Sequence, residues 1–218
     1  MKLIRTSLLN SVAVGVKIIS SLALNKILAV FVGPSGYALM GQLQNAITML
    51  LALVSGTVST GVTKYTAEYI EDDRKQHLVW QTAVFVGLSG SLIIGLIVAI
   101  FHRSLALFVL KSDSYANIFL LFAVALPLFV INTFLLSVLN GKKEIKRFVV
   151  ANISGSFLSL LITGIFAFYW GLYGALISLA INQSVIFFVT LWVCIKTNWF
   201  SITHFLGRVD IPSLRGLL

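Results

Sequence analysis

The sequence predicts an all-α integral membrane protein, a six-transmembrane-helix bundle, and three observations predict it. Of 218 residues, 58% are hydrophobic and only 11% are charged, against roughly 45–50% and about 25% in a soluble domain. Mean hydropathy is +0.99. Six windows recur along the chain, each near the ~20 apolar residues that a helix needs to cross a bilayer. No strand-like alternation of comparable length competes with them, and a helix satisfies its own backbone in lipid. These figures exclude a soluble enzyme, a disordered tail and a disulfide-stapled secreted domain. Cys194 is the sole cysteine, so neither an intrachain disulfide nor a Cys-rich metal site can form.

The first window covers residues 8–32 and follows the basic start Met1-Lys2-Leu3-Ile4-Arg5. Lys17 interrupts it and no small-x-small cleavage site follows, so it reads as a retained helix rather than a signal peptide. Gly33-Pro34-Ser35-Gly36 then makes a turn, because Pro34 cannot continue a helix and glycine tolerates positive φ. So short a link predicts that the first helix and the second (37–62) are antiparallel neighbours. Glu71-Asp72-Asp73-Arg74-Lys75 reads as a solvated bend before the third window, 78–101. Gly87, Ser91 and Gly95 recur there every four residues, a ridge for close helix packing. The fourth window is 117–139, the fifth 149–170 and the sixth 172–195, with Gly171 between the last two and Gly174 and Ser178 repeating the small-residue spacing. Residues 1–195 thus form one transmembrane unit. Residues 196–218 form a tail too polar to span, in which Trp199, Phe200, Ile202, Phe205 and Leu206 are expected to line the apolar side of a helix on the membrane surface.

The net charge of +9 carries orientation rather than nucleic-acid binding, because no basic run with interleaved aromatics stands outside the apolar windows. Lys2, Arg5, Lys64, Arg74, Lys75, Lys142, Lys143, Lys146, Arg147, Lys196, Arg208 and Arg215 fall in the ends and the even-numbered connections. Only Arg103 and Lys111 fall in the odd-numbered ones. Twelve against two places both termini in the cytoplasm.

Two cations lie where cations are costly. Lys17 and Lys26 sit inside the first window, and a central lysine costs about 2.5–3.5 kcal/mol on insertion scales. Such residues ordinarily face a bundle interior or a wet cavity. Nine residues at about 100° each put the two on opposite sides of a straight helix. Polar stripes run elsewhere: Asn45, Thr48, Ser55, Ser59 and Thr63 in the second window, and Asn152, Ser156, Ser159 and Thr163 in the fifth. Asn132 and Thr133 lie in the fourth, and Asn182 continues the Gly174–Ser178 spacing in the sixth. Each hydroxyl alone has an interhelical hydrogen bond as its ordinary explanation. Together the stripes suggest a hydrated cavity. All seven acids (Glu68, Glu71, Asp72, Asp73, Asp113, Glu144 and Asp210) lie in connections or the tail, so the counter-ion of a buried lysine is expected to be an anionic ligand, with phosphate the obvious chemistry. A lysine held neutral is the alternative.

His77, His102 and His204 are scattered through the connections, and no phosphate-binding, zinc-protease or serine-hydrolase motif occurs. The reading is therefore not an enzyme, with no cofactor, no metal and no nucleic-acid partner.

Val16-Lys17-Ile18 and Asn25-Lys26-Ile27-Leu28-Ala29-Val30-Phe31-Val32-Gly33-Pro34-Ser35-Gly36, with Gly61-Val62-Thr63-Lys64-Tyr65-Thr66-Ala67-Glu68-Tyr69 after the second window, resemble the start of the Wzx-type polysaccharide flippases. These handle O-antigen and enterobacterial common antigen precursors and belong to the multidrug/oligosaccharidyl-lipid/polysaccharide exporter superfamily. The resemblance implies one lobe, the N-terminal one, of a two-lobe flippase in the bacterial inner membrane, with residues 196–218 as the linker between lobes. It implies movement of an undecaprenyl-pyrophosphate-linked oligosaccharide to the periplasmic leaflet by alternating access around a cationic cavity. Lys17 and Lys26 become cavity cations and Lys64 a cation of the cytoplasmic gate. Membrane lipid, a second copy or a C-terminal lobe, and a polysaccharide polymerase are the implied partners. A cation-coupled multidrug exporter of the same superfamily, or a structural subunit without transport of its own, are the competing readings.

Overall fold

The computed structural model describes residues 2–205 together with Gly207 and Asp210. Leu206, Arg208 and Arg215 lie outside the described residues. The order is α1 (Lys2–Phe31), α2 (Gly33–Glu68), α3 (Asp73–Ile100), the short α4 (His102–Leu110), a 3₁₀ turn (Asp113–Tyr115), α5 (Ala116–Gly141), α6 (Ile145–Ile195) and a second 3₁₀ turn (Ile202–His204). Five of these helices are long and apolar enough to cross a membrane. The sixth crossing is folded into α6. Its 51 residues would extend ~77 Å at 1.5 Å per residue, more than twice the ~30 Å hydrocarbon core.

The chain reverses at Gly171, whose φ of 55° and ψ of −135° belong to glycine. Arms 145–170 and 172–195 then pair antiparallel. Ser178 meets Thr163 at 3.1 Å and Asn182 meets Ser159 at 2.6 Å, while Gly155 faces Ile186 and Gly174 abuts the Phe166 carbonyl. Each pair is nearly equidistant from the reversal. At the far end Arg147 donates to the Lys196 carbonyl at 3.0 Å, which closes the hairpin at its base.

Helix α5 is the centre of the bundle. It packs on α2, α3, α4 and α6, and Phe119, Phe122, Leu126 and Phe129 are buried along it. The α3 ridge predicted from glycine and serine spacing packs here: a methyl at Gly87 would press on Val130 and one at Gly95 on the Ala123 carbonyl, with Ser91 fully buried between them.

Two expectations are corrected, and one connection gains structure. Helix α1 runs along α6 and meets α2 only sparingly, because the first arm of α6 offers small residues that accept α1, as where Ile27 reaches Gly164. The third connection contains α4, which turns Ala106 and Leu110 into the core while Leu107 and Phe108 stay outside. The tail forms no surface helix among its described residues. It folds back on the bundle, where Trp199 and Phe205 pack edge-on or tilted against Trp80 at 5.6 and 5.5 Å between centroids. Trp199 donates to Glu144 at 2.8 Å, and the Asp210 amide donates to Thr82 at 3.0 Å.

Lys142 pairs with Asp73 at 3.7 Å, so the second connection, the fourth connection and the tail meet at one end of the bundle. The opposite end gathers the first, third and fifth connections. There Phe31 packs against Phe168 and Tyr115 against Tyr173, and Gly36 lies against Leu172. The basic connections therefore share one end of the bundle.

Candidate functional site: a groove between the first and fifth spans

Lys17, Ser20, Ser21 and Leu24 are spaced i, i+3, i+4 and i+7 on α1, one side of a helix. Ser156, Ser159 and Leu160 do the same on the first arm of α6. The two rows face each other across an open cavity of about 160 Å³, far above the ~10–15 Å³ that one water requires. No hydrogen bond or ion pair engages the Lys17 ammonium among the described residues. The acids described in the helices stand at helix ends, as Glu68 and Asp73 do. Lys17 is exposed on the open groove rather than buried as expected, so the groove presents a lysine without a carboxylate partner beside hydroxyls.

The second arm of α6 supports this wall. Asn182 donates to Ser159 at 2.6 Å, Gln183 accepts from Asn132 at 2.7 Å, and Ser184 donates to the Ala125 carbonyl at 3.0 Å. Three consecutive residues at the middle of that arm therefore bond to two neighbouring segments. Asn152 and Ser156 use their protons within the helix, on the Phe148 and Asn152 carbonyls at 2.8 and 2.9 Å.

The remaining candidates lie elsewhere. Ser55 and Ser59 line a different cavity of about 10 Å³ between α2, α3 and α5, walled by Val58, Val62, Val130 and Phe134. Asn45 and Thr48 are exposed on the outer side of α2, and Thr48 donates to the Gln44 carbonyl at 2.8 Å. Lys26 is exposed and lines neither cavity. Lys64 stands at the basic end of the bundle, its ammonium 5.0 Å from the Tyr65 ring. Ser20 and Ser21 join the groove although the sequence reading passed over them. Their spacing of three and four from Lys17 was the signal.

The outer sides of two neighbouring helices differ. On α3 the exposed residues include Phe85, Leu92, Ile93, Leu96 and Ile100, a surface suited to lipid. On α2 the apolar Met49 and Leu53 are interspersed with Gly41, Gln44, Asn45, Thr48, Gly56, Thr60 and Lys64, small or polar groups for which acyl chains are poor partners. Among the described residues no group of three His, Cys, Asp or Glu could hold a metal ion.

The fold resembles half of the chain in solved MATE and MOP-superfamily structures. A MATE in complex with MaD5 superposes with a TM-score of 0.77 at 19% identity, over 98% of this chain and 50% of that one. A MOP-superfamily transporter from Pyrococcus furiosus, described as having a binding pocket of reversed polarity, superposes with a TM-score of 0.74 at 20% identity, over 98% and 49%. At the level of sequence, the chain belongs to the polysaccharide biosynthesis protein family, whose pattern matches residues 3–215. The Lipid III flippases of Escherichia coli (strain K12) and Shigella flexneri are each 26% identical to it over 186 residues, 85% of this chain and 45% of theirs. The chain spans about half the length of the relatives it matches.

Proposed function

We propose that this chain is one lobe of a flippase, and not an enzyme, that carries an undecaprenyl-pyrophosphate-linked oligosaccharide from the cytoplasmic to the periplasmic leaflet during surface polysaccharide assembly. The observation that carries the reading is the unpaired Lys17 ammonium in a mid-span groove walled by serines. An ammonium held there without a carboxylate favours an anionic passenger, and a pyrophosphate is strongly anionic. The names of the Lipid III flippase relatives support the same passenger. A cation-coupled exporter would call for an intramembrane carboxylate, and the spans of this sequence contain none.

The polar outer side of α2, with Asn45, Thr48 and Lys64, is the surface that a second lobe would cover, whether on another chain or as a second copy. Opening and closing between the lobes would expose the groove to each leaflet in turn, with the prenyl tail left in lipid. Lys26 and Lys64 would assist at the two ends of the path. The basic end is assigned to the cytoplasm of a bacterial inner membrane, where a polysaccharide polymerase is a natural neighbour for the product.

Lys17→Leu tests the reading. The variant inserts normally and melts at a higher temperature than the parent, because an uncompensated ammonium is removed, yet its two-lobe assembly no longer flips lipid-linked oligosaccharide. Flipping at the parental rate in that variant overturns the proposal. Orientation is read separately by placing single cysteines at Ser35 and Lys143 in a chain with Cys194 replaced: an impermeant maleimide labels the first from the periplasm and the second only after the membrane is opened.

A further inference from the structure

Two serines on the groove wall differ in what their protons do. The Ser156 hydroxyl donates to the Asn152 carbonyl at 2.9 Å, the usual helical arrangement. Ser159 instead receives the Asn182 amide at 2.6 Å, and among the described residues no acceptor takes its own proton. An amide donor on one lone pair of a hydroxyl leaves the O–H to point away from that amide. Asn182 stands on the second arm of α6, behind the wall. The cavity, with Lys17 across it, lies in front.

We propose that Asn182 is a positioning residue that aims the Ser159 hydroxyl at a phosphoryl oxygen whose charge is met by Lys17, making the groove a two-point oxyanion site. The inference rests on the anionic reading of the groove and adds to it a neutral donor with a fixed direction. The ammonium attracts any anion as a point charge. The hydroxyl favours anions with one oxygen placed to accept from it while another meets the ammonium, as a phosphate or pyrophosphate has and a single-atom halide does not. Asn182 is itself anchored, because its neighbours Gln183 and Ser184 bond to α5. The direction of the Ser159 proton is thereby tied to the packing of the bundle centre rather than to a mobile side chain. A phosphoryl group on a lipid and one free in solution share this chemistry.

The full chain in lipid nanodiscs is titrated with inorganic pyrophosphate and with farnesyl pyrophosphate, and binding is followed calorimetrically. Ser159→Ala weakens affinity about tenfold, as expected for a hydrogen bond to a charged group, and Ser159→Thr restores it. Asn182→Ala weakens affinity about threefold to tenfold on the parental background and has no further effect once Ser159 is alanine, because it acts only through that hydroxyl. Chloride competition is unchanged by either substitution. Binding of both probes with this pattern supports a site open to free and lipid-borne phosphoryl groups, and binding of farnesyl pyrophosphate alone supports one reached from the lipid.

Equal losses from Asn182→Ala with and without the Ser159 hydroxyl would reduce the pair to helix packing and overturn the inference. Parental affinity in Ser159→Ala would do the same, and that comparison with Ser159→Thr stands even if Asn182→Ala does not fold. If Lys17→Leu abolishes binding while Ser159→Ala leaves it intact, the anionic reading survives and this inference falls. Binding unaffected by Lys17→Leu, or no binding of either probe by the parent chain, sinks both.

Discussion

The polar stripes of the second and fifth windows look alike in sequence and end in different surroundings. In α2 the hydroxyls turn back mainly on their own helix: Ser55 donates to the Leu51 carbonyl, Ser59 to Gly56 and Thr63 to Ser59, at 3.0, 3.2 and 3.0 Å, with Thr63 also 3.4 Å from the Ser137 carbonyl of α5. The space that Ser55 and Ser59 border amounts to about 10 Å³, lined mostly by apolar side chains. In the first arm of α6 the stripe borders about 160 Å³ and a lysine, and two of its hydroxyls, Ser159 and Thr163, are held by residues of the second arm. Helical spacing reports which residues share a side of one helix. It is silent on what stands opposite. A stripe becomes a site only where the facing helix brings charge and leaves room.

The largest test breaks the hairpin that builds the groove wall. At Gly174 a side chain would collide with the Phe166 carbonyl and press on the Trp170 Cβ, and backbone cannot step aside as a flexible side chain can. Gly174→Val is expected to cost about 3 kcal/mol or more, the upper range for overpacking. The loss is read as a lower midpoint of thermal unfolding in detergent, accompanied by loss of pyrophosphate binding, because Asn182 and Ser159 lose their register together. A variant that keeps both the midpoint and the binding would show that the groove does not depend on the pairing of the two arms.

A smaller test asks whether the second stripe belongs to the same cavity. Ser59→Ala removes one intrahelical hydrogen bond at a half-buried position. The expected change in stability lies within ~0.5 kcal/mol, as for substitutions away from special features, and pyrophosphate affinity stays within about twofold of the parent. A tenfold loss would join the two stripes in one cavity and erase the contrast drawn between them.

The sequence carried the spans well because lipid imposes so strict a rule on them. Length, apolar content and the need to satisfy backbone groups leave few choices, and even the reversal at Gly171 could be placed between the fifth and sixth windows. Where packing partners mattered, it carried less. Gly33-Pro34-Ser35-Gly36 specified a tight connection but not that α1 would lie along α6, since that choice depends on which distant surface has the small residues to receive it. The aromatic tail residues 199, 200 and 205 read as a membrane-surface stripe. Trp199 and Phe205 are instead used against Trp80 and Phe134, with Phe200 packed on both of them, because an aromatic patch already existed at that end of the bundle. Lys17 was legible as an anomaly, while its partners Ser20 and Ser21 had no anomaly of their own.

The smallest effect lies outside both stripes, at the start of α3. The Asp72 carboxylate accepts from the Lys75 amide at 3.1 Å and pairs with its ammonium at 3.2 Å. The backbone hydrogen bond first, and the side-chain bond from Lys75 second, hold its pKa below the ordinary 3.8. A carboxyl depressed on folding adds stability that is present above its unfolded value and is lost as pH falls through the folded one. Parent and Asp72→Ala should therefore differ most in unfolding midpoint near pH 6 and converge as the pH is taken well below 3.8. Asp72→Asn, which keeps an oxygen for the Lys75 amide without the charge, should remove the pH dependence and retain most of the cap. An undiminished gap between parent and Asp72→Ala in acid would show that the aspartate acts through something other than its ionised cap. The groove, bordered by a lysine and serines with no carboxylate, should show no matching acid transition in the midpoint difference between parent and Ser159→Ala.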